Sequence, residues 1–434
     1  MISPESKQDV LTAVKTLEEA LKEGIPSTIS PAVALQLTTL VRVLAQEVAE
    51  LENQVQEQGD RLRNLEAQLE TQYTFCCGTG NVPLAQKVAD LLGCELDNTM
   101  EPTLENPTLR VFQGVEFKPI IRDTLRGKVA ILFQSPSPAY EYPPGSGKRT
   151  YGINGEIIQV QLMIDACVKA DAKEIILVMP RMPYARQDRK KSGEPISSAQ
   201  LLQTFAFQGA SHFFCLDLHA QQSMGTVNKP FDAPYSSYAL VPWIQNYLVQ
   251  EKISPEDIMF LAPDNGGVAM NTRYSQMALG ANRTDVAMIS KSRNTVTGKT
   301  KVNAITGDVD GKIVIIVDDE VGSAGTLCQA AKQAYDSGAI KVIALGVHGL
   351  LHPGEDGQPG ALERIRQSRI DLLVTTDTID HRPEVLAAAD DPNSKLKIVT
   401  VAPLIAAVIQ KILSGDRTSD LIIPTNGDFP PVTT

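Results

Sequence analysis

The chain is sparing with several residue types, and each shortage removes a class of protein. Its six cysteines (Cys76, Cys77, Cys94, Cys167, Cys215 and Cys328) form no CxxC pair and stand in no histidine-rich stretch. That excludes a thiolate zinc module and argues for reduced thiols in a cytoplasmic protein, with Cys76 and Cys77 as small core residues. No apolar run approaches the ~18 residues of a membrane span, so no membrane partner is expected. The opening MISPESKQDVLTAVKTLEEALKEG has neither a basic leader nor an apolar centre, which argues against a secretory signal. Basic residues are outnumbered, 40 Lys and Arg against 51 Asp and Glu, for a formal net charge of −11. A chain of that balance is not expected to bind nucleic acid, and any anionic ligand must be met by a local arrangement. HExxH, GxSxG and a well-placed GxGxxG are all missing. GSGKRT at 145–150 is not a P-loop, because Tyr142 stands where its first glycine belongs and no aliphatic strand precedes it.

What is present suffices for two or three domains: 434 residues, 43% of them hydrophobic and 21% charged. Leu44, Val48, Leu51 and Val55, then Leu62, Leu65 and Leu69, follow a heptad rhythm between Glu, Gln, Asn and Arg. The spacing predicts a helix with one sticky stripe, so residues 1–72 read as a helical extension that forms a coiled coil. After Tyr73, short aliphatic runs (VAILF 129–133, IILVM 175–179, IVIIV 313–317, VIALGV 342–347, DLLVT 371–375) alternate with amphipathic stretches. Continuous runs of this length point to parallel strands covered on both faces. Two tandem α/β domains are expected, over 73–230 and 231–434.

The run IVIIVDDEVGSAGTL, 313–327, carries the chemistry. Ligands gather beyond the carboxyl ends of parallel strands, where Asp318 and Asp319 stand. Gly322, Ser323, Ala324, Gly325 and Thr326 are small enough for backbone N–H groups to approach an anion, and a helix starts directly after them. Together they describe a pocket for a phosphorylated sugar, the acids accepting hydrogen bonds from its hydroxyls or holding a hydrated magnesium ion. MPYARQDRK, 182–190, supplies the guanidinium forks of Arg186 and Arg189. His219 and Asp264 each follow a strand-like run, while ISKSRNTVTGKTKVNAITGDVDG, 289–311, reads as a mobile surface loop.

VDDEVGSAGTL resembles the ribose-phosphate loop of phosphoribosyltransferase-fold proteins. With MPYARQDRK, PISSAQLL, LDLHAQQSMG (216–225), APDNGG (262–267), GDVDGK (307–312) and VHGLL (347–351) in order, the chain is similar to ribose-phosphate diphosphokinases over roughly residues 74–405. The resemblance implies an α/β fold of two tandem phosphoribosyltransferase-like domains with parallel sheets, behind the helical extension. It implies transfer of the diphosphoryl group of ATP to ribose 5-phosphate, giving phosphoribosyl diphosphate (PRPP) and AMP, with Mg2+ as cofactor. It places ATP at Phe112, Glu116, Arg186, Gln187, Asp188 and Arg189, ribose 5-phosphate at Asp318, Asp319 and 322–326, the metal at His219 and Asp264, and catalysis on Lys291 and Arg293. A homo-oligomer built from dimers, up to a hexamer, is also implied. The chain departs from the family pattern in three places: Gly322 stands where an acid is common, Gly114 replaces an Asp, and SGEPIS, 192–197, lacks an Arg tied to a phosphate effector site. Those departures define an alternative, a catalytically inactive homologue that regulates or scaffolds an active synthetase.

Overall fold

In a computed structural model of the chain, the described residues are 73–99, 116–138, 151–190, 192–293, 300–354 and 357–419, with Ser30, Thr39, Val43 and Gln56. The chain divides into two units, Met1–Thr71 and Gln72–Thr434. In the first, Thr39, Val43 and Gln56 are helical; the heptad positions and the expected coiled coil lie outside the described residues.

The second unit is built on two sheets. The first has the order β2-β1-β3-β4-β5-β6, from Tyr73–Cys77 (β1), Leu96–Asn98 (β2), Val129–Phe133 (β3), Glu174–Val178 (β4), His212–Phe214 (β5) and Phe231–Asp232 (β6), all parallel. The second runs β13-β12-β11-β10-β7-β8-β9. Its strands are Ile258–Ala262 (β7), Val286–Arg293 (β8), Thr300–Thr306 (β9), Ile313–Glu320 (β10), Lys341–His348 (β11), Leu372–Thr376 (β12) and Leu396–Val399 (β13), parallel except for the β8–β9 hairpin. Every residue of 313–317 is buried, as a central strand covered on both faces requires.

The helices cover those faces. On the first sheet, Val160, Met163 and Ile164 of Gly152–Lys169 (α2) and Leu202 and Phe205 of Ser197–Gln208 (α3) pack with Ala130, Leu132, Ile175 and Leu177. On the second, Gly325–Asp336 (α6) buries Leu327, Ala330, Ala331 and Ala334, an i, i+3, i+4, i+7 stripe, against Val314, Ile316, Val342 and Ala344. Three of those four positions are alanines, which lets the helix lie close to the strands.

Two expectations change. Phe231–Asp232 pairs with β5, so the first sheet runs past the boundary drawn after residue 230. The segment read as a surface loop over 289–311 is largely a hairpin: β8 reaches Arg293, β9 begins at Thr300, and residues 294–299 are outside the described set. Within TKVNAIT only KVNA alternates polar and apolar side chains, too short a period-two stretch to stand out as a strand among Thr, Lys and Asn.

The halves are joined by more than the chain between them. Ala402–Ser414 (α9), which follows the last strand, packs on Val82–Leu92 (α1) beside the first sheet. Asn81 caps α1 through its Oδ1 while its Nδ2 donates to the carbonyl of Asp377 at 2.8 Å, and Lys87 pairs with the Asp377 carboxylate at 2.9 Å.

Candidate active site

The carboxyl end of β10 is held from three sides. β7 pairs with β10 only over Ile313–Ile315. Beyond that, Asn271 of Val268–Leu279 (α5) takes over: its Oδ1 accepts from Val317 N and its Nδ2 donates to Val317 O, both at 2.9 Å. The chain after the strand is tied to β11 and the segment behind it by Val321 N to His348 O (2.9 Å), Leu351 N to Val321 O (2.9 Å) and His352 N to Gly322 O (3.0 Å). Between these anchors Asp318 and Asp319 enter a cleft of about 1060 Å³. The loop then turns into α6 through Ala324, whose φ of 61° is left-handed. Alanine in that region is strained, and the turn it makes leaves the first helical N–H groups directed outward with no acid in the first turn to occupy them. A Cβ at Gly322 would come within 3.1 Å of His352 Cδ2, so the position where an acid is common in the family is faced here by an imidazole.

Eight expected site residues line that one cleft: Arg186, Asp188 and Arg189 from the loop after β4, His219 from the loop after β5, Asp264 at the end of β7, and Asp318, Asp319 and Thr326. Arg186 lies with its Nε 3.4 Å from Glu320 Oε1, and Arg189 Nε is 3.5 Å from Asp188 Oδ1. Gln187 faces elsewhere: its Oε1 accepts from Ser197 Oγ and its carbonyl from Ser198 Oγ (3.0 Å), which fixes the arginine loop to the start of α3. Glu116 is exposed and does not line the cleft, and Phe112 is outside the described residues. Lys291 and Arg293 stand two apart on β8, opposite Val302 and Thr300 of β9.

The acids are electrostatically unequal. Burial and the adjacent Asp319 push Asp318 up to about 7, with Asp264 adding to the rise. Burial would raise Asp319 too, but the His219 ring, whose Nδ1 donates to Asp319 Oδ2, and the charge of Arg186 outweigh it and hold Asp319 down at about 2. His219 is raised in turn by that hydrogen bond. Asp264 Oδ1 accepts from Gly266 N (3.0 Å) and Gly267 N (3.3 Å), so it caps the turn before α5 as well as facing the cleft.

Among the described residues, no three His, Cys, Asp or Glu side chains converge closely enough to hold a metal ion by themselves. The donors do suit magnesium: it keeps several waters and needs one or two carboxylates with substrate oxygens completing its shell, and Asp264, Asp318 and Asp319 all line the cleft.

Comparison with known proteins assigns the chain to a family. Residues 73–209 match the family model of the N-terminal domain of ribose phosphate pyrophosphokinase, and 271–422 that of the phosphoribosyl synthetase-associated domain. Ribose-phosphate pyrophosphokinase 1 of Streptococcus mutans is 32% identical over 336 residues, 77% of this chain and 92% of the relative. The chain belongs to the ribose-phosphate pyrophosphokinase family. Ribose-phosphate pyrophosphokinase of Thermotoga maritima is also 32% identical, over 77% of this chain and 93% of its own. The crystal structure of phosphoribosylpyrophosphate synthetase from Mycobacterium smegmatis superposes with a TM-score of 0.64 at 26% identity, covering 79% of this chain and 99% of that one. The two-sheet α/β fold is thus that of a ribose-phosphate pyrophosphokinase, and residues 1–72 lie ahead of both family matches.

Sequence reasoning passed over four side chains at this cleft or beside it. Asp217 is buried with a left-handed φ of 43°, accepts Ser236 N at 2.6 Å on Oδ2, and is raised by burial. Arg273 lies over the Tyr235 ring at 3.3 Å from its centroid, and both line the cleft with Asp217. Glu320 and Arg181 form a buried ion pair between the halves. An arginine within VMPRMPY and a third acid after the pair in VDDE were the available signals.

Proposed function

We propose that the chain transfers the diphosphoryl group of ATP to the anomeric oxygen of ribose 5-phosphate, releasing AMP and forming PRPP. The observation that carries this reading is the meeting, in one cleft, of an acid-ended strand with a small-residue helix start from one sheet and the paired arginines from the other. The sugar's 5-phosphate would rest on the backbone N–H groups of 322–326, and its ring hydroxyls would donate to Asp318 and Asp319. Arg186 and Arg189 would take the polyphosphate oxygens, with Asp188 and Gln187 keeping that loop in place. Phe112 and Glu116 are assigned to the nucleotide's base, contributed across a subunit boundary in a dimer-based homo-oligomer.

In the reaction, the anomeric oxygen forms a bond to the β-phosphorus as the bond from that phosphorus to the oxygen bridging to the α-phosphorus breaks, and the proton of the anomeric hydroxyl passes to solvent. AMP leaves along the line of attack. The cleft's task is placement and charge, so no covalent enzyme intermediate is needed. Lys291 and Arg293 are the cations assigned to the charge that develops on the transferring oxygens. His219 and Asp264 would hold Mg2+, in part through water, and the ion when bound supplies charge neutralisation on the polyphosphate. The test is direct: purified chain with ATP, ribose 5-phosphate and Mg2+ should yield AMP and PRPP in equal amounts. Absence of AMP at micromolar protein sinks the proposal; stimulation of an active synthetase by an inert chain supports the regulatory alternative, which Gly322 and its imidazole neighbour favour.

A further inference from the structure

Resting on the ATP-site reading above, the geometry points to Glu320 as a positioning residue that fixes the Arg186 guanidinium for the nucleotide, with Arg181 as its buried anchor. The two oxygens of Glu320 are divided between two arginines. Oε2 accepts both Nε (3.0 Å) and Nη2 (2.7 Å) of Arg181, whose Nη1 also reaches the Pro136 carbonyl at 3.5 Å. Oε1 is left for Arg186 Nε at 3.4 Å, and the Glu320 carbonyl takes Arg186 Nη2 at 3.4 Å. Their exposures differ sharply: the Arg181 and Glu320 side chains are 9% and 11% exposed, the Arg186 side chain 55%.

That contrast assigns the roles. Neither Arg181 nor Glu320 lines the cleft, whereas Arg186 does. Arg181 belongs to the loop after β4 and Glu320 is the last residue of β10, so the pair sets the arginine loop of one sheet against the sugar-binding strand of the other. A long, half-exposed arginine has many rotamers, and ordering it only when ligand arrives weakens binding. A carboxylate already immobilised by a buried guanidinium removes much of that cost by holding Arg186 where its charge also reaches Asp318 and Asp319.

The test uses the full chain, with binding of a non-hydrolysable ATP analogue and of ribose 5-phosphate measured by calorimetry, kcat by AMP release, and Tm by scanning. Glu320→Gln keeps one oxygen for Arg181 but turns an N–H toward Arg186, donor against donor. The expected result is an analogue Kd about tenfold weaker, ribose 5-phosphate affinity within about twofold and kcat reduced by less than about threefold, the signature of lost ground-state positioning. Arg181→Met with Glu320→Met removes the buried charges together, and such replacements are often neutral or stabilising, so this variant stays folded if Glu320→Gln does not. It too should bind the analogue about tenfold more weakly at an unchanged or higher Tm. A double variant of wild-type Tm that binds the analogue as tightly as wild type overturns the inference and leaves the pair a mere staple. A wild-type chain that binds no ATP analogue overturns the ATP-site reading and this inference with it.

Discussion

Glu156 ties the pH dependence of stability to the seam between the two sheets. It sits on α2, 3% exposed, with Oε2 accepting Ser137 N at 2.8 Å; Ser137 Oγ in turn accepts Asp380 N at 3.1 Å, and Ser135 Oγ donates to the Thr378 carbonyl. Burial pushes its carboxyl from 4.5 up to about 8, with Asp380 adding to the rise and the Ser137 N–H opposing it. A carboxyl raised on folding binds its proton more tightly in the native state. Stability is therefore fully retained below about 4.5, falls as pH rises from there to about 8, and stays flat above. At 1.36 kcal/mol per unit, the full window corresponds to a loss of about 5 kcal/mol. Glu156→Gln keeps an oxygen for Ser137 and has no charge to bury. The assay is chemical unfolding of both proteins from pH 5 to 9, followed by fluorescence of the single tryptophan, Trp243. The stability difference should be within about 1 kcal/mol at pH 5 and swing toward the variant by several kcal/mol at pH 8.5. Parallel pH profiles would refute the reasoning, because they would mean that Glu156 is solvated or compensated by a cation.

Lys291→Ala should lower kcat by about a hundredfold or more with ribose 5-phosphate affinity unchanged, as expected for a group acting on developing charge; full activity would remove Lys291 from the chemistry. Asp318→Asn should raise Tm at pH 8, since it removes an acid that burial and Asp319 disfavour, while weakening ribose 5-phosphate binding about tenfold or more by isothermal calorimetry. Tight sugar binding by that variant would show that the ring hydroxyls bind elsewhere. Ala324→Gly relieves a left-handed alanine, a gain of about 1–2 kcal/mol offset by about 0.4–1 of unfolded-chain entropy, so unfolding midpoints should rise slightly. A loss of stability would indicate that the Ala324 methyl, 4% exposed, contributes packing that outweighs its backbone strain.

The parallel strands were legible because burial on both faces writes itself as an unbroken aliphatic run. VAILF is β3 residue for residue, and IVIIV is β10 up to its acids. The edge elements were not. HFF and FD are too short to show a period, and the β8–β9 hairpin carries polar residues because one strand lies at a sheet edge. At the site, strand-end acids and small-residue turns are local patterns, readable from one segment. Gln187 and Glu320 were harder. Whether Gln187 meets a ligand or Ser197, and whether Glu320 meets solvent or Arg181, is decided by residues 10 and 139 positions away.

That difference has a chemical consequence. On the proposed reading, the residues that would meet the sugar, Asp318, Asp319 and 322–326, fall in one stretch of strand, turn and helix start, although Asn271 and His348 help to hold it. The residues proposed for the nucleotide differ, since Arg186 contacts Glu320 on the other sheet and Arg189 contacts Asp188 beside it. Changes at Asp318, Asp319 or within 322–326 should therefore alter sugar affinity with little effect on the nucleotide. Disturbing the seam between the sheets, at Glu320 or around Ser135, Thr378 and Glu156, should alter nucleotide affinity first. If the proposed reading holds, ribose 5-phosphate binding should survive such changes, because α6, which would help to carry the backbone donors, packs its Leu327, Ala330, Ala331 and Ala334 within the second sheet's own core.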